Sequence, residues 1–160
     1  MNLPDQTLSS LTAALTHASR AYRAAADKVG AAYGLSQATG LPVLVISRFG
    51  EPGVRPGVLA EALGLEASSL VRVVDQLIEA GLIERHDDPN DRRAKILRLT
   101  EEGEKTAQRM DQALTPFRRQ LFGDFDPADV EGCLRVLAGL PAAIANISFA
   151  SDTTDERKSA

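Results

Sequence analysis

The sequence predicts a mainly α-helical fold with one small β-hairpin. Three observations carry that expectation. Apolar residues recur at spacings of three and four over most of the chain, and one stretch, Leu82 to Thr100, reads instead as two short strands around a polar turn. Aromatic residues make up only 4% and tryptophan is absent, so Leu, Val, Ile and Ala must build the core, a mixture suited to helix packing. The 160 residues, 44% hydrophobic and 25% charged, suit one compact domain or a small core with appended helices. A net charge of −4 and a pI near 5.2 argue against bulk attraction to nucleic acid, so any such contact has to come from a local arrangement. No stretch approaches the roughly 20 apolar residues of a membrane span. The expectation is a soluble, cytoplasmic protein with no membrane partner.

In chain order, Leu8, Leu11, Leu15, Ala18, Tyr22, Ala25 and Val29 form the seam of a long first helix, which ends near Gly30. Ser36 is placed to cap a second helix, in which Gly40 and Pro42 predict a kink or a late start before the apolar run Val43 to Ile46. Phe49 to Gly57 holds three glycines and two prolines in nine residues and reads as a loop, with Pro56 opening the next helix. Two short helical patterns follow: Val58, Leu59, Ala62 and Leu63, then Leu70, Val73, Val74, Leu77 and Ile78. Gly64-Leu65 joins them, with Leu65 filling the angle, which is the helix-turn-helix pattern.

Gly81 closes the second of these helices, and Leu82 to His86, the polar turn Asp87 to Asp91, and Ala94 to Thr100 make a hairpin directly after it. A hairpin in that position is a wing, so the fold is a winged helix-turn-helix. Thr100 caps a long helix with Glu101, Glu102 and Glu104 near its positive end, apolar positions Ala107, Met110, Leu114, Phe117 and Leu121, and a bend at Pro116. Asp126-Pro127 starts a last helix with the seam Val130, Cys133 or Leu134, Leu137, Pro141, Ile144 and Ile147. The polar tail 151–160 has no apolar face and is expected to be mobile. The predicted organisation is an N-terminal dimerisation helix over 5–34, the winged lobe over 35–100, and C-terminal dimerisation helices over 101–150.

The stretch LAEALGLEASSLVRVVDQLIEAGLIER followed by DPNDRRAKILRLTEEG, within Val58 to Gly103, resembles the MarR/SlyA family of bacterial transcriptional regulators. Its most specific part is Asp91-Arg92-Arg93-Ala94-Lys95, set between two strands and leading to Leu99-Thr100 and Gly103. The resemblance implies a homodimer that binds double-stranded DNA at a near-palindrome, usually as a repressor. It implies that Ala67 to Gly81 is the recognition helix, presenting Ser68, Ser69, Val71 and Arg72 to the major groove, with Val71 against a thymine methyl and Arg72 on guanine. It implies that Arg93 enters the minor groove, that Arg92 and Lys95 contact phosphates, and that Asp91 braces the hairpin through a salt bridge. From Glu84 to Arg98 there are five basic and four acidic residues, so geometry must turn the arginines outward. Relatives take small aromatic or lipophilic effectors between the dimer helices and the lobe. Tyr22, Arg20, Arg23 and His17 lie on the first helix within possible reach of such a cleft, but no ligand residue is assigned.

Other readings are weaker. His17 and His86 are isolated from other ligands, so no metal or cofactor is expected and both read as surface or packing residues. Cys133 reads as a small buried apolar group. No phosphate loop or catalytic constellation marks an enzyme or a small-molecule sink. The alternative from another class is a winged-helix module that binds a partner protein and no DNA.

Overall fold

The computed structural model describes residues 3–35 and 37–147, for Gln37 and Arg92 the backbone alone. The expected cap Ser36 and the tail 151–160 lie outside the described residues. The elements are α1 (Asp5–Ala32), α2 (Gln37–Ser47), α3 (Pro56–Leu63), α4 (Ala67–Glu79), β1 (Ile83–Asp88), β2 (Asp91–Leu99), α5 (Glu101–Phe122) and α6 (Pro127–Ala145). The chain divides into two compact units, Met1–Arg119 and Gln120–Ala160. Among the described residues no helix is long and apolar enough to cross a membrane, and no group of three or more His, Cys, Asp or Glu is placed to hold a metal ion.

In the first unit, the expected seam of α1 divides. Leu8, Leu11 and Leu15 are exposed, whereas Tyr22 and Val29 pack against a cluster of Ala26, Leu35, Leu44, Met110 and Leu114. Of the kink or late start expected at Gly40 and Pro42, the late start is not seen, because α2 runs from Gln37 with Pro42 inside it. Pro42 removes only one rung of the ladder, and burial of Val43, Leu44 and Ile46 offsets that loss. Of the four apolar residues expected to form the stripe of α3, only Leu59 and Leu63 are buried; Val58 and Ala62 face outward. A helix of about two turns presents one narrow stripe to a core, and one i, i+4 pair fills it. Arg23 of α1 donates from Nη2 to the Leu63 carbonyl at 2.6 Å, satisfying an orphan acceptor at the end of α3. Leu70, Val74 and Leu77 anchor α4 in the second cluster, with Val54, Leu82, Ile83 and Leu97.

The transition from α4 into β1 is made by Gly81, whose φ of 68° is left-handed. Its N–H donates to the Ile78 carbonyl at 2.9 Å and the Leu82 N–H to the Leu77 carbonyl at 2.9 Å, so the helix is closed and the strand begins at once. Thr100 then stitches this corner to α5. Its N–H donates to the Leu82 carbonyl at 3.0 Å, its hydroxyl donates to the Gly81 carbonyl at 2.7 Å, and the same oxygen accepts the Gly103 N–H at 3.0 Å. Gly103 lies so near the corner that a Cβ there would stand 2.0 Å from the Leu82 carbonyl oxygen.

The strands are longer than the alternation pattern predicts, reaching Asp88 and starting again at Asp91. They pair antiparallel from Ile83 opposite Leu99 to Asp87 opposite Lys95, and then Asp88 opposite Asp91. The loop before α3 joins this sheet through paired hydrogen bonds between Val54 and Leu97 at 3.0 and 2.8 Å. Beside that bridge, Arg55 donates from Nε to Asp88 Oδ2 at 2.7 Å, with its Nη2 in an ion pair at 2.7 Å with the same oxygen, while Asp88 Oδ1 accepts the Asn90 N–H at 2.8 Å. The Asp88 side chain is only 5% exposed. α5 passes through Pro116 without interruption and buries Ala107, Met110, Ala113 and Leu114, while Leu121 is exposed.

In the second unit, Asp126 caps α6 by accepting the Ala128 N–H at 2.7 Å, as its sequence predicts. None of the residues of α6 is buried, and Leu134, Leu137 and Ile144 are exposed. Cys133 is exposed with them and is not the buried apolar group expected, because among the described residues of its own unit nothing buries the seam of α6.

Gly103→Ala is expected to destabilise the protein by about 1–3 kcal/mol, since a methyl must displace the Leu82 backbone; urea unfolding measures it. For Asp88, the Asn90 N–H first and the Arg55 guanidinium second hold the carboxyl below its usual range. A carboxyl whose folded pKa is depressed contributes stability above its unfolded value of about 4 and loses it as pH falls through the folded value. Asp88→Asn is therefore expected to melt lower than wild type at neutral pH, with the gap closing below about pH 4. Thermal melts across pH read this directly.

Candidate nucleic-acid interface

The buried stripe of α4 leaves the opposite face to solvent, and Ser68, Ser69, Val71 and Arg72 are all exposed there. Val71 stands 55% exposed among polar neighbours. Glu66 at the N-cap makes no side-chain hydrogen bond to the first turn, so the positive end of α4 next to the two serines remains available to an acceptor. Arg72 has no ion-pair partner among the described side chains.

The hairpin tip is built by an excess of residues. Between the pairs Asp87–Lys95 and Asp88–Asp91, residues 92–94 on β2 have no opposite number, which makes a bulge. Arg93 sits in its middle, exposed and without a carboxylate partner among the described side chains. Its backbone N–H donates to Asp91 Oδ1 at 3.0 Å. The contact described for Asp91 is this local hydrogen bond. The hairpin is also tied down by the ion pair of Asp88 with Arg55. The side chain of Arg92 lies outside the described residues.

Lys95 is exposed but bonded across the strands to Asp87, whose carboxyl is held below its usual range by that hydrogen bond and by the ammonium charge. Arg85 of β1 pairs with Asp75 of α4 at 3.1 Å, and Arg98 pairs with Glu51 at 3.3 Å. Arg55, Arg85, Lys95 and Arg98 therefore each have an acidic partner, and Arg72 and Arg93 project as uncompensated guanidinium groups. Short hydroxyls, a bare helix start and two unpaired guanidinium groups suit an anionic, acceptor-rich surface.

Sequence reasoning missed Arg55 and Asp88. Asp88-Pro89-Asn90 carries a turn signal, since an aspartate commonly accepts the N–H two residues on. Nothing marks Arg55, because its partner is 33 residues away.

A cleft of about 580 Å³ opens between the end of α2, the segment 50–53, β2 and the first half of α5. Leu44, Ile46, Leu97 and Ala107 form its apolar part and Arg48, Arg98, Glu104 and Gln108 contribute polar groups. Tyr22, Arg20, Arg23 and His17 do not line it. Tyr22 packs on Phe117 with ring centroids 5.9 Å apart, and Arg23 is spent on the end of α3. His86 lies 3.1 Å from the Glu84 carboxylate through Nε2, and His17 is exposed.

Residues 33–94, from the end of α1 to the wing bulge, match the family model of the MarR family. Among solved structures, the transcriptional regulator PA3341 is 29% identical, with a TM-score of 0.75 over 86% of this chain and 99% of that one. A MarR-family transcriptional regulator from Rhodococcus sp. RHA1 is 25% identical, with a TM-score of 0.68 over 88% and 96%. MepR of S. aureus, solved in complex with DNA, shares the fold at 17% identity, with a TM-score of 0.66 over 81% and 93%. Residues 33–94 thus resemble the MarR family, and the chain has a winged-helix fold like that of solved MarR-family transcriptional regulators.

Proposed function

We propose that this protein is a sequence-specific, double-stranded-DNA-binding transcriptional regulator that acts as a homodimer on a near-palindromic operator, without catalytic chemistry or a cofactor. The observation that carries the reading is the pairing of two surfaces in one lobe. The polar, solvent-facing side of α4 offers Ser68, Ser69, Val71 and Arg72, and the bulged wing offers Arg93, whose guanidinium has no carboxylate partner among the described side chains. In this reading 35–100 is the DNA-binding lobe, and α4 enters the major groove while Arg93 enters the adjacent minor groove. Arg92 is a phosphate contact. The fold is one that in MepR has been solved bound to DNA.

Pairing of two chains is supported by the apolar residues left in water. Leu8, Leu11 and Leu15 of α1, and Leu134, Leu137, Ile144 and Ile147 in and after α6, are each at least 39% exposed. Apolar area on that scale is a cost that association removes, so 5–34 and 101–150 are assigned to dimerisation. A twofold dimer then presents two copies of α4 to successive major grooves, about 34 Å apart. Repression by promoter occlusion, relieved by a small aromatic or lipophilic effector, completes the reading. The 580 Å³ cleft between α5 and the lobe is large enough for such a molecule.

Arg93→Ala is expected to weaken binding to all duplexes and to flatten the dependence of log Kd on log salt by about one unit. Arg72→Ala is expected to cost about 1–3 kcal/mol on the preferred site and to relax base preference there. Fluorescence anisotropy over a salt series, with the promoter of the protein's own gene and a scrambled duplex, checks both. Salt-independent binding, or no effect of either change, would instead favour a protein-binding role for the lobe. Leu134→Glu with Leu137→Glu is expected to convert a dimer into a monomer by light scattering and to abolish cooperative occupation of the two half-sites.

A further inference from the structure

We infer that Asp87 limits the affinity of this surface for DNA: it holds the Lys95 ammonium in the free protein and competes with duplex phosphate for it. The inference rests on the DNA-binding reading above and concerns how much of the wing's charge that reading can use.

Two adjacent aspartates of β1 play opposite parts. Asp88 is buried and fixed by hydrogen bonds from Arg55 Nε and the Asn90 N–H and by the ion pair with Arg55 Nη2, so it belongs to the frame of the hairpin. Asp87 sits directly across the ladder from Lys95, at the last regular pair before the bulge that carries Arg93. Its side chain is 70% exposed and that of Lys95 60%, with no third group binding either side chain among the described contacts. A pair so open to water is weakly held and exchanges partners readily. It is strong enough, however, to hold Asp87 ionised below the usual carboxylate range.

A duplex approaching the wing meets this pair in one of two states. If Lys95 stays with Asp87, a carboxylate is carried up to the phosphates and the ammonium brings no net attraction. If Lys95 moves to a phosphate, Asp87 is left unpaired beside the polyanion. Both states cost affinity, and both costs vanish when the Asp87 charge is removed. The side chain of Lys95 then becomes the phosphate contact that its position in the motif implies. In a chain with a net charge of −4, where Arg55, Arg85 and Arg98 of the lobe are also paired with acids, one released ammonium is a large fraction of the usable charge.

The experiment measures Kd over a salt series for the full-length wild type, Asp87→Asn, Lys95→Ala and the double variant. All are tested on one fixed duplex selected by the wild type from a random pool. Asp87→Asn is expected to bind about three- to tenfold tighter near 0.1 M salt and to steepen log Kd against log salt by about 0.9. Lys95→Ala alone is expected to weaken binding about two- to fivefold, because it leaves Asp87 unpaired beside phosphate, and in the Asp87→Asn background it should erase the gain. An unchanged or weaker Kd for Asp87→Asn, with an unchanged thermal midpoint, would overturn the inference. So would a gain that survives loss of Lys95, or an equal gain from Asp88→Asn, since either would mean that any lost carboxylate suffices. If the wild type selects no duplex at all, the DNA-binding reading itself fails. A wild type that binds while Asp87→Asn gains nothing removes this inference alone.

Discussion

The contact on which the lobe depends is the seat of α5 on the Leu82 backbone. Gly103 has no side chain where one would collide with that carbonyl, and Thr100 spends its N–H and its hydroxyl on the same corner. Three hydrogen bonds of ordinary strength, about 1 kcal/mol each in net terms, converge where a helix ends, a strand begins and another helix starts. These backbone-centred contacts hold α4 against the hairpin, with the surface pair Arg85–Asp75 beside them. Ser68, Ser69, Val71, Arg72 and Arg93 make none of these contacts, which leaves their side chains available to the surface.

A second constraint is electrostatic. The chain carries more acid than base, and within the lobe most basic side chains are matched internally, one by a buried carboxylate and the rest at the surface. Such a protein has little long-range pull on a polyanion, and its discrimination must come from close fit. Pairing two lobes matters more under these conditions, because each alone offers only a few uncompensated groups.

The fold was legible in its periodic parts. The spacing of Leu70, Val74 and Leu77 located α4, Gly81 marked its end, and Thr100 and Asp126 announced two helix starts, all because these signals act within one turn of the residues that carry them. What failed involved partners distant in sequence. Gly40 and Pro42 read as breakers, yet α2 continues, since Gly40 lies against Met110 and the neighbouring apolar side chains are buried. Val58 and Leu59 are equally apolar on paper, and only the position of the core separates them. The ends of the strands were missed because a wing tip in water has no need of apolar alternation. At the candidate site, the exposure of Ser68, Ser69, Val71 and Arg72 follows from the stripe of α4, but the engagement of Lys95 by Asp87 and the burial of Asp88 against Arg55 depend on register and on a loop far upstream.

The hydrogen bond from Arg23 to the Leu63 carbonyl makes α1 and the C-terminal end of α3 mechanically continuous. Pulling them apart strands a carbonyl at a helix terminus and strips a guanidinium of its acceptor, whereas moving them together costs neither. In the proposed dimer, a tilt of the long first helix would carry the end of α3 with it, and what such a lever alters is the separation of the two recognition helices.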